Sequence, residues 1–96
     1  MPTPAVTWIR IGERHPDLAQ ERDYFLALDG EVQVGIVRLI NFGPETGRWL
    51  WSMLLTHPGP AFTRPTSGTA PTRWEAVRDL VDCYRAFREW SGLDED

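Results

Sequence analysis

Residues 24–40, YFLALDGEVQVGIVRLI, decide the fold. The stretch holds two runs rich in apolar and β-branched residues, separated by Asp29 and Gly30. Asp-Gly between two such runs is a strong short-range signal for a β-hairpin. With these two residues in the turn, Tyr24 opposes Gly35, where an aromatic ring would cover a glycine in the neighbouring strand. The stretch therefore predicts two antiparallel strands.

A third strand is predicted at residues 48–56, RWLWSMLLT, which follow a turn rich in glycine and proline. With Phe42 opposite Gly47, Arg38 meets Trp51 across the second and third strands. Residues 23–56 then form an antiparallel meander. A one-residue slip in this turn would exchange the two faces of the third strand, because side chains in a strand alternate with period two.

The C-terminal part predicts a loop followed by one helix. Residues 57–71 contain four prolines and two glycines, which argues for a surface loop. Thr72 and Glu75 have the spacing of a capping box, in which each side chain bonds to the other residue's amide. The helix is predicted over residues 72–91, with Gly92 as the stop signal.

At 100° per residue the helix has one apolar arc. The predicted arc consists of Trp74, Val77, Leu80, Val81, Tyr84 and Phe87, with Ala76 and Cys83 at its margin. Residues 1–22 are predicted as an N-terminal edge strand and loop, and residues 92–96 as a tail. The sequence thus predicts a single α+β domain over residues 1–96: a three- to four-stranded antiparallel meander sheet with one C-terminal helix packed on one face.

The amino-acid composition limits the classes of partner that the chain is expected to bind. The 96 residues carry a net charge of -4, and all 10 basic residues are arginine. Because binding to nucleic acid grows from neutralised phosphates, an acidic domain is not expected to bind it. The single cysteine, the lack of a signal-like apolar segment near the N-terminus and the absence of a long apolar run predict a cytoplasmic protein without a membrane span.

The predicted register leaves apolar side chains on both faces of the sheet, whereas one helix covers one face. The predicted uncovered face carries Tyr24, Leu26, Leu28, Val37, Leu39, Leu50 and Leu54. Such a surface marks an interface unless the chain covers it. Either the N-terminal 22 residues or another protein covers it, and the sequence leaves both open. The first hypothesis is a non-enzymatic protein-interaction or regulatory domain that forms a homodimer through this face or through an edge strand.

A second hypothesis places a small-ligand or enzyme site under residues 57–71, which would act as a lid near Trp51, His57 and Arg64. The pattern favours a protein without enzymatic activity. His15 and His57 each precede a proline and lie in no ligand cluster, so we predict no metal site, no cofactor and no catalytic residue.

The pattern Trp49-x-Trp51 is followed by Gly68-Thr-Ala-Pro-Thr-Arg-Trp-Glu-Ala76 at the start of the helix. Together these motifs resemble small uncharacterised bacterial proteins with a strand meander and a C-terminal helix. The helix start is also similar to the HicB-type antitoxin domain, in which a glycine and Thr-x-x-Glu-Ala precede the helix. The latter resemblance implies a third hypothesis, an antitoxin-like partner of a toxin protein, and it assigns no site residue.

Overall fold

The strands pair in chain order in a computed structural model, which describes residues 6–54 and 65–91. All neighbouring strands are antiparallel, so the sheet is a meander, and one C-terminal helix packs on it. The elements are β1 (Val6–Arg10), β2 (Tyr24–Asp29), β3 (Val32–Leu39), β4 (Trp49–Met53), β5 (Ser67–Ala70) and α1 (Arg73–Ser91). The predicted α+β class is confirmed, with five strands in place of three or four. Two short 3-10 turns, Ile11–Glu13 and Pro16–Leu18, follow β1, which lies at one edge of the sheet.

The additional strand, β5, lies inside the segment predicted as a loop. Prolines flank it at positions 65 and 71, but Ser67–Ala70 itself contains none and pairs with β4. Gly68 stands opposite Trp51, and a Cβ atom on Gly68 would lie 2.9 Å from the indole nitrogen of Trp51. The large ring therefore covers the glycine and compensates for its missing side chain. This pair, and not Tyr24 with Gly35, provides the aromatic cover.

The first hairpin turns one residue later than predicted. Asp29 opposes Val32, so Gly30 and Glu31 form the turn, and Gly30 has a φ of +65°. Glycine adopts this left-handed conformation without steric cost. Asp29 remains in the strand, where its carboxylate accepts a hydrogen bond from Tyr84 of the helix.

An irregularity between Ala27 and Leu28 shifts the rest of the hairpin further. Beyond it, Ala27 opposes Gly35 and Tyr24 opposes Arg38. A β-bulge inserts one residue into one strand and changes which side chains share a face.

The second hairpin shows the one-residue slip. Ile40 donates its amide to the carbonyl of Arg48 and accepts the amide of Gly47, which closes the loop. Val37 therefore opposes Trp51, and Arg38 opposes Leu50. The predicted pairing of Arg38 with Trp51 is wrong.

Because of this slip, the predicted faces of β3 are wrong. Val37 and Leu39 share a face with the tryptophans of β4, beneath the helix, and Arg38 moves to the opposite face. Val37 is buried in the main core. The core cluster consists of Ala27, Val34, Val37, Trp51, Met53, Ala70, Ala76, Leu80, Cys83, Tyr84 and Phe87.

Helix α1 begins where the capping pattern predicts. The amide of Glu75 donates to Oγ1 of Thr72 at 3.2 Å. The buried stripe of the helix runs through Ala76, Leu80, Cys83, Tyr84 and Phe87. Trp74, predicted in the apolar arc, is instead 71% exposed. The helix thus turns this stripe, and not its first tryptophan, toward the sheet.

The reverse face, which is the sheet face opposite α1, is apolar only in part. Leu26 is 1% exposed and Leu28 is also buried, although neither belongs to the core cluster. The turn Ile11–Glu13 contacts β2, and its first residue is buried. From β3 to β5 the same face carries the polar side chains of Gln33, Arg38, Ser52, Ser67 and Thr69, with Ile36 and Leu50 half-buried among them.

Candidate functional site: an aromatic cleft beside the edge strand

The helix packs mainly on β3, β4 and β5, which leaves β1 and β2 less covered on the same face. A cavity of about 280 Å³ lies there, between the first turns of the helix and the edge strand. Its lining residues are Trp8, Phe25, Arg73, Trp74 and Val77. We call this cavity the aromatic cleft.

Strand register brings the sheet side of the cleft together. Trp8 opposes Ala27, and two residues along, Arg10 opposes Phe25. Because side chains alternate along a strand, these four share the face on which the helix packs. Ala27 is small and fully buried, so the larger neighbours form the floor of the cleft.

The helix side of the cleft follows from where α1 begins. The cap at Thr72 starts the helix at Arg73, and Val77 lies one turn further along the same side. Arg73 is the first residue of the helix and Trp74 is 71% exposed outside the buried stripe, so both lie at the rim of the cleft.

Two guanidinium groups converge on one ring. The guanidinium carbons of Arg10 and Arg73 lie 5.5 Å and 5.3 Å from the ring centroid of Phe25. Arg73 also lies 4.9 Å from the ring centroid of Trp74. These are cation–π distances. The Nε of Arg10 donates to the carbonyl of Arg22 at 3.1 Å, which fixes its orientation.

The positive charge of the cleft lacks a matching negative charge within residues 6–54 and 65–91. No carboxylate in these ranges lies within ion-pair distance of the Arg10 or Arg73 guanidinium. The nearest acidic contact is Glu13, whose carboxylate accepts the backbone amide of Arg10 at 3.0 Å. The cleft is therefore suited to a flat or bulky apolar group that lies next to a negative charge.

A second polar cluster joins the first hairpin to the helix. Asp29 accepts hydrogen bonds from the hydroxyl of Tyr84 at 2.5 Å and from Arg88 at 2.9 Å. Burial, and then the hydrogen bond to Asp29, raise the pKa of Tyr84 above its ordinary 10.0. The phenol stays protonated at neutral pH, so Tyr84 is not an activated nucleophile. The cluster instead links β2 to the helix.

Of the three predicted ligand residues, the structure describes only Trp51. His57 and Arg64 lie outside the described residues. Trp51 is buried, and it lines a smaller cavity of about 160 Å³ with Pro65, Asp79 and Asp82. A third cavity, of about 250 Å³, is lined by residues 20–24, 38–39 and 41, which include acidic and basic side chains. Within the described ranges, no group of three His, Cys, Asp or Glu side chains could hold a metal ion.

The predicted interface residues do not form one exposed surface. Leu26 and Leu28 are buried, Val37 and Leu39 face the helix, and Leu54 is 45% exposed. Tyr24 and Leu50 are half-buried on the reverse face.

The sequence pattern does not identify the cleft residues, and the reason is physical. Periodicity places Trp74 in the buried arc, because it lies three residues before Val77. The helix packs mainly on β3, β4 and β5, and in this position Trp74 is 71% exposed. The local feature of the sequence that points to the cleft is the pair Arg73 and Trp74 at the start of the helix.

Comparison with known proteins gives this chain no relative. No protein-family model, curated protein or solved structure matches it. The resemblance to HicB-type antitoxins therefore stays a prediction. In the part of the chain that the structure describes, no helix combines the length and apolar character needed to cross a membrane.

Proposed function

We propose that this chain is a non-enzymatic protein-interaction domain that binds a partner side chain in the aromatic cleft. The observation that carries the proposal is the cleft itself: three aromatic side chains and an arginine around a cavity of about 280 Å³. Tryptophan and arginine side chains that surround a pocket are typical of the energetic centres of protein interfaces.

The lining of the cleft favours a side chain over a free metabolite. Sites for drug-sized molecules span roughly 300–1,000 Å³ and enclose most of the ligand. At about 280 Å³ the cleft lies close to the lower end of that range, and this volume accommodates one large apolar side chain. Its lining residues are tryptophan, phenylalanine, valine and arginine, which offer binding energy and no general base.

Self-association through the reverse face has less support. That hypothesis required an apolar surface on the side opposite the helix. Leu26 and Leu28 are buried within the chain, and the remainder of that face is largely polar. A polar outer face is the usual form of an antiparallel sheet covered on one side.

Selection from a random-peptide display library on the immobilised protein tests the proposal. Individual synthetic peptides are then titrated against the wild type and Trp74→Ala, with binding followed by anisotropy of a labelled peptide. Phe42→Ala is the matched control, because Phe42 is an 80% exposed aromatic residue in a turn away from the cleft.

We expect Trp74→Ala to weaken binding roughly tenfold or more, as for an interface hot spot. Phe42→Ala should leave the affinity unchanged. The proposal fails if the library yields no binding peptide, or if both substitutions affect affinity equally.

A further inference from the structure

We propose that the occupant of the aromatic cleft is an extended segment of a partner protein that pairs with β1 as a sixth strand. The segment carries an acidic residue two positions before a large apolar residue. This inference rests on the proposed function and adds the backbone geometry and the charge of the partner.

Strand β1 offers an edge for such pairing. It pairs with β2 on one side, and among the described residues no strand pairs with its other side. The amide of Arg10 donates to Glu13, which turns it away from β2. Because hydrogen-bonding direction alternates along an antiparallel strand, the amide and carbonyl of Trp8 point the same way, toward the free edge.

The same strand also forms a wall of the cleft. The Trp8 side chain lines the cavity, while its backbone groups face the free edge. In strand addition, backbone hydrogen bonds supply affinity and pockets for alternate side chains supply specificity. A partner residue opposite Trp8 would lie at the mouth of the cleft.

Charge complementarity sets the second feature of the partner. The guanidinium groups of Arg10 and Arg73 both lie over Phe25, which is the residue opposite Arg10 in β2. A partner residue opposite Arg10 is the one nearest to both groups. The Glu13 carboxylate already accepts the Arg10 amide, so the backbone pairing of the added strand begins at Trp8, and Arg73 carries most of the attraction for a carboxylate.

Register then fixes the order along the partner. Residues on one face of a strand are two positions apart. If the added strand runs antiparallel to β1, its residue opposite Arg10 precedes its residue opposite Trp8. The expected pattern from N- to C-terminus is acidic-x-apolar-x-apolar, and the last position lies opposite Val6.

A second copy of the chain fits this edge less well. In a two-fold pairing centred on Trp8, the residue opposite Trp8 is another Trp8, which already forms a wall of its own cleft. Arg10 would then face Val6, and the helix-side face of β1 contributes no carboxylate. The unmatched positive charge favours an acidic partner.

The test uses the full chain and the fluorescein-labelled peptide Thr-Asp-Thr-Phe-Thr-Val-Thr. One control peptide replaces aspartate with asparagine. A second moves the aspartate to the preceding position, which puts it on the opposite face of the strand without changing composition. Anisotropy titrations at low ionic strength compare wild type, Arg73→Gln and Arg73→Lys.

We expect the aspartate peptide to bind roughly fivefold more tightly than either control, as for a partly exposed ion pair in a favourable site. Arg73→Gln should abolish that advantage, and Arg73→Lys should keep part of it. Hydrogen exchange at the amide of Trp8 should slow when the peptide is bound, because the amide enters a backbone hydrogen bond.

Equal affinity for the three peptides overturns the inference, and so does unchanged exchange at Trp8. Dimerisation that is lost in Trp8→Ala would assign the edge to a second copy and overturn it as well. Library peptides of another pattern that still depend on Trp74 would leave the proposed function intact, so the two failures are distinguishable.

Discussion

Gly35 is a residue at which the helix and the sheet pack closely. A Cβ atom there would lie 2.8 Å from both δ carbons of Leu80 and 2.8 Å from the carbonyl oxygen of Ser52. We expect Gly35→Ala to lower the free energy of unfolding by about 1–3 kcal/mol, the usual range for overpacking. Urea denaturation measures it.

A double-mutant cycle identifies the cause of that loss. In a Leu80→Ala background the side-chain clash disappears, whereas the carbonyl of Ser52 stays in place. Gly35→Ala should therefore cost less in that background, without becoming neutral. An identical loss in both backgrounds would mean that Leu80 plays no part.

Tyr84 gives the stability a dependence on high pH. Its pKa in the folded chain is raised above 10.0, so the folded state binds the phenolic proton more tightly than the unfolded state does. This contribution is complete below pH 10.0 and is lost as the pH rises through the folded-state pKa.

Tyr84→Phe isolates the effect. At neutral pH the substitution should lower the free energy of unfolding by about 1 kcal/mol, because Asp29 loses one hydrogen bond. The gap between wild type and variant should stay constant up to about pH 9 and shrink from about pH 10 upward in chemical denaturation. A gap that stays constant at the higher pH values as well contradicts the assignment.

At the scale of elements, the start of the helix depends on one side chain. Thr72 accepts the Glu75 amide, so Thr72→Ala should destabilise the chain by about 1 kcal/mol. Thr72→Asp should restore most of that stability, since aspartate also caps helices. Thermal unfolding followed by circular dichroism compares the three proteins, and equal melting temperatures would show that the cap is dispensable.

Local signals predicted strands β1 to β4 and the helix, but neither strand β5 nor the registers. Asp-Gly located the first hairpin, and Thr-x-x-Glu located the helix. Register depends on contacts that are remote in sequence: the helix binds Asp29 and keeps it in β2, and Trp51 covers Gly68 in a strand hidden among prolines. A one-residue shift then moved Val37 from one face to the other.

At the scale of the whole molecule, the candidate site arises because the helix lies to one side of the centre of the sheet. The aromatic cleft exists because one helix covers only part of a five-stranded sheet and packs mainly on its last three strands. The sequence specifies a helix with an apolar arc, yet the lateral position of that helix follows from close packing at Gly35 and Ala76. No period in the sequence encodes that position.

The turn Ile11–Glu13 covers part of the reverse face of the sheet. Ile11 is buried at the start of a 3-10 turn that contacts β2, on which Leu26 is buried away from the main core. If this turn forms a second small core, Ile11→Ala should lower the free energy of unfolding by about 2–5 kcal/mol, the range for a buried aliphatic side chain.

Phe42→Ala provides the control, because it removes a larger apolar side chain that is exposed. We expect it to change the free energy of unfolding by less than about 0.5 kcal/mol. Urea denaturation of both variants, at low and high protein concentration, separates two origins of the cover. A loss in Ile11→Ala that is independent of concentration means that the chain covers its own reverse face. A wild-type stability that rises with concentration would instead return that face to an intermolecular role.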